Sequence, residues 1–468
     1  MLDQGLSVWY YNMSDFSGMF IFVANIDNTN LTHTMTPIRQ ARTYREQLSE
    51  FRRKRNRCRD YTYGRQWNDI IEVDGRKITE YEYILSEGNV PLKNNLIRRI
   101  VRNVLGVFRE RLPAIMKEEY GEPLATIARE NSLAELFTRT LEEFLISGMA
   151  VVRKRISAPS PGSSSPAKPR VTTEMVSPDD IFFNTDSHDI RGWDLHTIGQ
   201  VHKVNFTDWC RAFVKSRTDY RKAQKLFDTY GREVKVTELW RKELVARYLV
   251  HDRHSGTLRK QPVASSVEGV SQWMLDEVWR YYFLTEDGTE LLSGDSPYPD
   301  GNHPFVIKCY PFLDGEIQSF VGDMIDQQRY TNRLITLYDW VIRASAKGVL
   351  LLPEGAVDNS NIRAVADQWS RFNGVIVYKN KPGNPEPKQI NSNVSNLAIS
   401  ELLEIQLKMM EDVSGVNGIL QGRTSGGNVS GELYNSQTTN ALYSLSDILE
   451  TFTAFIRDNA TKDRVFTE

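Results

Sequence analysis

Cysteine is scarce in this chain of 468 residues, and long hydrophobic runs are missing. The three cysteines, Cys58, Cys210 and Cys309, are scattered and form no C-x-x-C pair. The sequence therefore predicts neither a disulfide framework nor a zinc site, and we expect no metal and no cofactor. The apolar run MFIFVAN at 19–25 is too short to span a bilayer, and no positive charge precedes it, so no membrane segment or signal peptide is expected.

An excess of charge of either sign is also missing. The 58 Lys and Arg residues and the 60 Asp and Glu residues leave a net charge of −2. A tight, general nucleic-acid binder gains its affinity by neutralising phosphates, so this balance argues against that class of protein. It remains compatible with a protein past which nucleic acid must slide. At this length, two to four structural units are expected.

The stretch ILQGRTSGGNVSGE at 419–432 lacks the chemistry of a nucleotide site. Gly422 and Gly427 have P-loop spacing, but a P-loop continues with Lys, which reaches the phosphates, and Ser or Thr, which holds Mg²⁺. Asn428 and Val429 occupy these two positions instead. The preceding element also differs, because a P-loop follows a strand, whereas a long amphipathic segment precedes these glycines. No Ser-His-Asp or Cys-His arrangement has supporting context either. The sequence therefore predicts no catalytic residues and no enzyme.

The first third of the chain reads as mainly helical. Residues 1–34 contain no Lys or Arg, and they are either upstream of a true start at Met35 or an N-terminal arm. Within 35–156, an arginine-rich helix is expected to be a solvated face or a subunit contact, with nucleic-acid contact as the less favoured alternative. A second helix carries apolar residues at the spacing of a buried stripe: Leu96, Ile100, Val104 and Phe108.

The rest of the chain divides by composition and pattern. A low-complexity insertion at 157–170 precedes alternating strand patterns over 171–317, which makes the first two-thirds an α+β body. The final third predicts a long helix, a small α/β insertion, a second long helix, a glycine-rich loop and another helix, in this order: 318–346, 347–395, 396–414, 415–431 and 432–468. The insertion has two short strands, GVLLL and GVIVY. Two strands are too few for an independent sheet, so we expect them to pair with or pack on neighbouring subunits.

This order resembles the stem, clip, stem and tunnel-loop order of tailed-bacteriophage portal proteins. The run from CYPFLDGEIQSF to VLLLPEG resembles the segment of these proteins that leads into the first stem helix and then enters the clip. NNLIRRIVRNVLG, EFLISGMAVVRKRI and VSPDDIFFNTD are similar to its wing region. The resemblance covers most of the chain from Met35 onward. The family usually continues into a helical crown, whereas this chain stops at NATKDRVFTE, so its crown is either minimal or truncated.

The resemblance implies an α+β portal subunit with a wing, long paired stem helices, a clip and a tunnel loop. It implies a structural ring, typically of twelve subunits, at one capsid vertex of a phage or prophage virion, assembled in the bacterial host cytoplasm. The implied partners are double-stranded DNA, a separate terminase ATPase, and capsid and head–tail connector proteins. The first alternative is a capsid or head-completion protein without a DNA channel. A terminase-type NTPase is the second, and the failed P-loop disfavours it.

The resemblance also implies roles for particular residues. The tunnel-loop side chains expected to contact the DNA backbone are Gln421, Arg423, Thr424 and Asn428. The glycines expected to act as loop hinges are Gly415, Gly422, Gly426, Gly427 and Gly431; the rival interpretation is an exposed flexible linker. The polar centre of the first long helix is either solvated or a subunit contact. The residues considered for that contact are Asp326, Arg329 and Arg333, with one arginine bridging to an acid of the next subunit.

Overall fold

The structure is a computed structural model. It describes residues 35–157, 170–251, 258–261, 271–310, 312–313, 316–347, 349–351, 362–370, 388–390, 397–416, 418, 420, 439 and 442–467. The N-terminal 34 residues, nearly all of the low-complexity insertion and most of the glycine-rich loop lie outside these ranges. Among the described helices, none is both long enough and apolar enough to cross a bilayer.

Helices and antiparallel sheets alternate in the described chain, which confirms the α+β prediction. The helices are α1 (Pro37–Gln47), α2 (Ser49–Thr62), α3 (Glu80–Ser86), α4 (Leu96–Glu119), α5 (Ala125–Glu130), α6 (Leu133–Ser147), α7 (Phe206–Phe213), α8 (Arg217–Tyr230), α9 (Ile325–Lys347), α10 (Ile362–Ser370), α11 (Leu397–Ser414) and α12 (Ser446–Thr467). The short strands before α4 are β1 (Ile70–Val73) and β2 (Arg76–Thr79).

The remaining strands form two larger sheets and two hairpins. They are β3 (Met149–Ser157), β4 (Arg170–Met175), β5 (Ile181–Phe183), β6 (Thr197–Asn205), β7 (Glu233–His251), β8 (Leu258–Gln261), β9 (Ser271–Thr285), β10 (Glu290–Asp295), β11 (Phe305–Cys309), β12 (Phe312–Leu313), β13 (Glu316–Ile317), β14 (Val349–Leu351) and β15 (Lys388–Ile390). The larger sheet has the order β10-β9-β7-β6-β5, with β8 on β7, and the smaller has the order β11-β3-β4. All described pairs are antiparallel.

The largest core lies between α4, α6 and α12. The predicted stripe on α4 is buried there: Ile100, Val104 and Phe108 are in the cluster and Leu96 packs against it. Phe108 meets Phe452 of α12 edge to face at 5.4 Å between ring centroids. The final helix, expected to lead towards a crown, thus packs into the body. A second core fills the space between the two sheets.

The arginine-rich segment differs from its prediction. It forms two helices that meet at Leu48, and it is only partly a solvated face. Arg55 is buried, because its guanidinium binds Glu143 of α6 at 2.8 Å and Asp179 at 2.8 Å. Arg57 pairs with Asp69 at 2.8 Å. Glu143 and Asp179 lie far from Arg55 in the sequence, so composition alone predicts a solvated side chain for this arginine.

The two long helices are both observed. The first begins at Ile325, after a short 3-10 turn at Gly322–Met324, and not at residue 318. The delay has a local cause: Val321 N–H donates to Leu145 O at 3.1 Å, which ties this stretch to the end of α6. The second, α11, contacts α9. Between them, β14 pairs with β15 of the same chain, so part of the insertion satisfies its own backbone; the predicted strand GVIVY lies outside the described residues.

Candidate functional site

The two residues that flank the segment containing most of the glycine-rich loop, Gly415 and Ser444, lie in contact. Gly415 ends α11 with φ 65°, the left-handed backbone that favours glycine. Ser444, just before α12, donates its hydroxyl to Gly415 O at 2.8 Å. An added Cβ at Gly415 would lie 2.7 Å from Ser444 Oγ, so only glycine allows this approach. The ends of the segment between these two residues are therefore held together.

Buried apolar side chains on both sides of this junction reinforce it. Met410 and Val416 lie on one side of the junction, and Leu445 and Leu449 lie on the other; all four belong to the core around Phe452. Val416 has no exposed surface. Because both ends of the segment between Gly415 and Ser444 are anchored in the same core, the body fixes where this segment starts and finishes.

The polar centre of α9 is largely buried. Gln328, Asn332 and Thr336 recur every four residues, which places them on one side of the helix, and their side chains are at most 9% exposed. Leu92 N–H donates to Thr336 Oγ1 at 3.1 Å, and Asn94 N–H donates to Asn332 Oδ1 at 3.1 Å. Plain solvent exposure, one of the two interpretations of this polar centre, is therefore wrong for Gln328 and Asn332.

Gln328 caps α4 from a distant part of the chain. The first N–H groups of a helix have no partner within it. Asn95 accepts from Arg98 N–H at 3.0 Å, and Gln328 Oε1 accepts from Leu96 N–H at 2.9 Å and Ile97 N–H at 3.2 Å. The Gln328 amide also donates to Asn94 O at 2.6 Å. The first long helix is thus fixed to the body by hydrogen bonds that specify its position along α4.

Replacing Gln328 with leucine is expected to lower the free energy of unfolding by about 1–3 kcal/mol, since the buried N–H of Ile97 loses its acceptor, whereas Leu96 N–H keeps Asn94 O at 2.9 Å. Gln327→Leu, one residue earlier on a half-buried side of the same helix, is the matched control, and about 0.5 kcal/mol is expected there. Guanidinium unfolding at one fixed, low protein concentration measures both. Similar losses for the two variants would show that the capping hydrogen bonds contribute little.

The three predicted contact residues lie on the first half of α9. Asp326 is exposed in its first turn. Arg329 and Arg333 both bind Glu80 of the same chain: Arg329 Nε is 3.1 Å from Glu80 Oε1, and Arg333 Nη2 is 2.5 Å from it. The hydrogen bond to Glu80 raises the pKa of Arg329. Half of the Arg333 side chain remains exposed.

Most of the predicted loop residues lie outside the described chain. They are Gln421, Gly422, Arg423, Thr424, Gly426, Gly427, Asn428 and Gly431. Gly415 is the described member of the predicted hinge set, and it forms the left-handed end of α11. The sequence analysis did not identify Gln328, Asn332 and Thr336 as anchoring residues. Their spacing of four was the available signal, because it places three polar side chains on one side of the helix, where they can contact another element.

These features define a structural subunit: an α+β body with two long helices in contact, an insertion between them, and a loop whose ends are held together. Residues 38–462 match the family model described as phage P22-like portal protein. The match spans most of the chain, so the chain belongs to the P22-like portal protein family. No curated protein matches it.

Family membership gives the protein its role. It is a portal protein of a phage head, part of the virion at the capsid vertex, and portal proteins are structural rather than enzymatic. The family implies a ring oligomer that surrounds a DNA channel and works with the head and the terminase. The terminase-type NTPase considered from the sequence is thereby set aside. The P-loop-like spacing of Gly422 and Gly427 therefore does not indicate a nucleotide site.

Proposed function

We propose that twelve copies of this chain form a closed ring through which double-stranded DNA enters and leaves the head. In this arrangement 35–156 and 171–317 form the wing, and α9 and α11 form the stem. The clip is 347–395 and the tunnel loop is 415–431. The observation that carries the proposal is the family match together with the hydrogen bond between Ser444 and Gly415, which joins the two ends of the segment that contains the loop.

The tunnel loop contacts DNA in this proposal through Gln421, Arg423, Thr424 and Asn428. One arginine per subunit, with neutral amides and a hydroxyl around it, gives weak contacts to phosphates that carry no sequence information. Such contacts guide a moving strand without trapping it. The loop glycines supply hinges between the fixed ends: Gly415, Gly422, Gly426, Gly427 and Gly431. The net charge of −2 supports this, because it excludes a strongly basic channel made from the chain as a whole.

The stem joins neighbouring subunits in this proposal through Asp326, Arg329 and Arg333. Two guanidiniums share the single carboxylate of Glu80, which leaves one positive charge in excess at this point of the helix. Arg333 is half exposed and can therefore also reach an acid of the next subunit. The clip docks the terminase ATPase and, later, head–tail connector proteins, and the ring assembles in the host cytoplasm before DNA is packaged.

Negative-stain imaging of the purified protein tests the ring. Twelve-fold particles with a central hole are expected, and native mass spectrometry counts the subunits. Particles without a hole would instead favour a shell or head-completion protein, the alternative left by the sequence. Discrete monomers at every concentration would contradict the proposal.

Replacing Arg423 with glutamate tests the DNA contact. Rings should form in normal yield, but DNA should enter the head more slowly or leak from it, because a carboxylate repels the phosphates that the guanidinium attracts. Arg423→Lys keeps the charge and serves as the matched control. DNA retained per head, measured by nuclease protection, is the readout. Normal packaging and retention in the glutamate variant would mean that the loop is only a linker.

A further inference from the structure

One side of α11 carries an apolar stripe that is exposed in the part of the chain that the structure describes. Its residues are 41–48% exposed and are spaced by three and four: Leu402, Ile405, Met409 and Val413. This spacing aligns them along one side of the helix over about 16 Å, at 1.5 Å per residue. Single exposed apolar residues are ordinary on protein surfaces, but an aligned row of four indicates a contact surface.

A groove of matching character lies beside α9. Tyr83 and Ile84 of α3 form one wall, and Leu337 and Trp340 of α9 form the other. Its volume is about 400 Å³. Leu337 is 45% exposed and Trp340 is 51% exposed, so two large apolar side chains stand open along the groove. With Arg333, they follow the spacing i, i+4, i+7 of one helix side.

The stripe is not the surface that α11 uses within its own chain. The buried side of α11 carries Gln406, Met410 and Ser414, which recur every four residues and lie on a different side of the helix from the stripe. Met410 packs into the main core. Among the described residues, the stripe on α11 and the groove on α9 are therefore both open for contacts with another molecule.

The charges beside the two surfaces are complementary. The exposed charged side chains of α11 are three acids and one lysine: Glu401, Glu404, Lys408 and Asp412. At the groove, Arg329 and Arg333 share Glu80, which leaves one positive charge in excess near Arg333. Glu87 also lines the groove, so the excess is local to the end that holds Arg333. An acidic helix edge would therefore lie favourably against that end.

We propose that the α11 stripe of one copy of this chain docks in the α9 groove of the next copy. The contact joins two different surfaces, so it is heterologous, and repetition of one heterologous contact is what closes a ring. A second copy is the occupant because the chain carries both halves of the contact, both apolar and complementary in charge. This inference rests on the proposed ring and names the surfaces that hold it together.

Mixing chains that each carry one new cysteine tests this contact. In a Cys210→Ser background, Leu337→Cys or Trp340→Cys supplies the groove, and the stripe is scanned with Leu402→Cys, Ile405→Cys, Met409→Cys and Val413→Cys. The two other native cysteines are buried. A short bismaleimide should join a groove chain to a stripe chain as a dimer in at least one pairing, and neither chain should crosslink alone. Mixed single variants exclude links within one chain.

Met409→Asp provides a second, independent measurement. A charge in the docked stripe costs at least the burial energy of the side chain, which corresponds to a fall of tenfold or more in ring yield, on the order of 1.5–3 kcal/mol. Leu244→Asp on β7, where the leucine is 64% exposed, is the matched control and should change the yield by less than about twofold.

The outcomes separate this inference from the proposed function. Rings that form without any groove-to-stripe crosslink, or with equal yield for the two aspartate variants, overturn the docking surface and leave the ring intact. Crosslinking of groove chains to one another also overturns it, because that contact would be two-fold. An unsubstituted protein that never forms rings overturns both proposals.

Discussion

Replacing Asp463 with asparagine, or Lys154 with methionine, is expected to lower the free energy of unfolding by about 3–5 kcal/mol. Lys154 Nζ lies 2.7 Å from Asp463 Oδ2, and neither side chain has exposed surface. Burial lowers the pKa of Lys154, and the neighbouring carboxylate opposes that effect. Removing one partner leaves the other as an uncompensated charge in the core, which costs far more than the pair contributes.

The surrounding hydrogen bonds make the loss larger at Asp463. Tyr120 donates its hydroxyl to the same carboxylate oxygen at 3.0 Å, and Lys154 donates to Thr173 Oγ1 at 3.0 Å. The pair thereby ties α12 to β3, β4 and the end of α4. Since α12 begins just after Ser444, which bonds to Gly415, this ion pair also secures one side of that junction.

A matched control lies one residue further along the same strand. Arg155 pairs with Glu174 at 3.1 Å, but both side chains are about half exposed. Arg155→Met is therefore expected to cost less than about 1 kcal/mol. Guanidinium unfolding at one protein concentration compares the variants. A double variant, Lys154→Met with Asp463→Leu, should recover much of the stability, because apolar partners carry no unpaired charge.

The result that would contradict this account is a small loss for Lys154→Met, comparable to that for Arg155→Met. Equal losses for the single and double variants would also count against it. In that case the cost would come from packing rather than from an unpaired charge.

Local patterns in the sequence predicted the helices well. Ile100, Val104 and Phe108 are buried as their spacing indicates, because helical periodicity depends only on neighbouring residues. The second long helix was predicted at 396–414 and spans Leu397–Ser414. Such agreement is expected where one side of a helix meets a core.

Long-range pairings could not be predicted in the same way. Arg55 binds Glu143, which is 88 residues away, and Gln328 caps a helix that begins 232 residues earlier. A single sequence shows that these residues are polar, and polar residues on long helices are usually solvated. The stem assignment of Arg329 and Arg333 was made on the same basis, so their partner within the chain, Glu80, could not be identified. Their proposed contact with the next subunit stays a prediction.

Gly148 could be predicted only in part. The sequence places a glycine between a helix and a strand, but it does not show which segments approach this glycine. A glycine between a helix and a strand is typical of a left-handed helix end, and φ is 77° here. The structure adds a close approach of backbone from two other segments. An added Cβ would lie 2.0 Å from Gln318 O and 2.8 Å from Tyr310 O.

Gly148→Ala is therefore expected to lower the free energy of unfolding by about 3 kcal/mol or more, from backbone strain and a clash with carbonyl oxygens that cannot move alone. Gly88→Ala is the matched control, since Gly88 has the same φ of 77° but no atom within 4 Å of the added Cβ. Strain alone should cost about 1–2 kcal/mol there. Equal losses would show that the close approach has little effect.

The difference between these two variants also reports on the path into α9. Gln318 lies just before the turn at which that helix begins, and Tyr310 N–H donates to Gly148 O at 2.8 Å, so the glycine joins the end of α6 to the chain that leads into the first long helix. If Gly148→Ala affects only folding, ring yield should fall in proportion to the folded fraction. Folded Gly148→Ala subunits can instead be compared directly with folded Gly88→Ala subunits. If the former assemble poorly and the latter assemble normally, the alanine has displaced the chain that leads into α9 and has misaligned the helix that the ring requires.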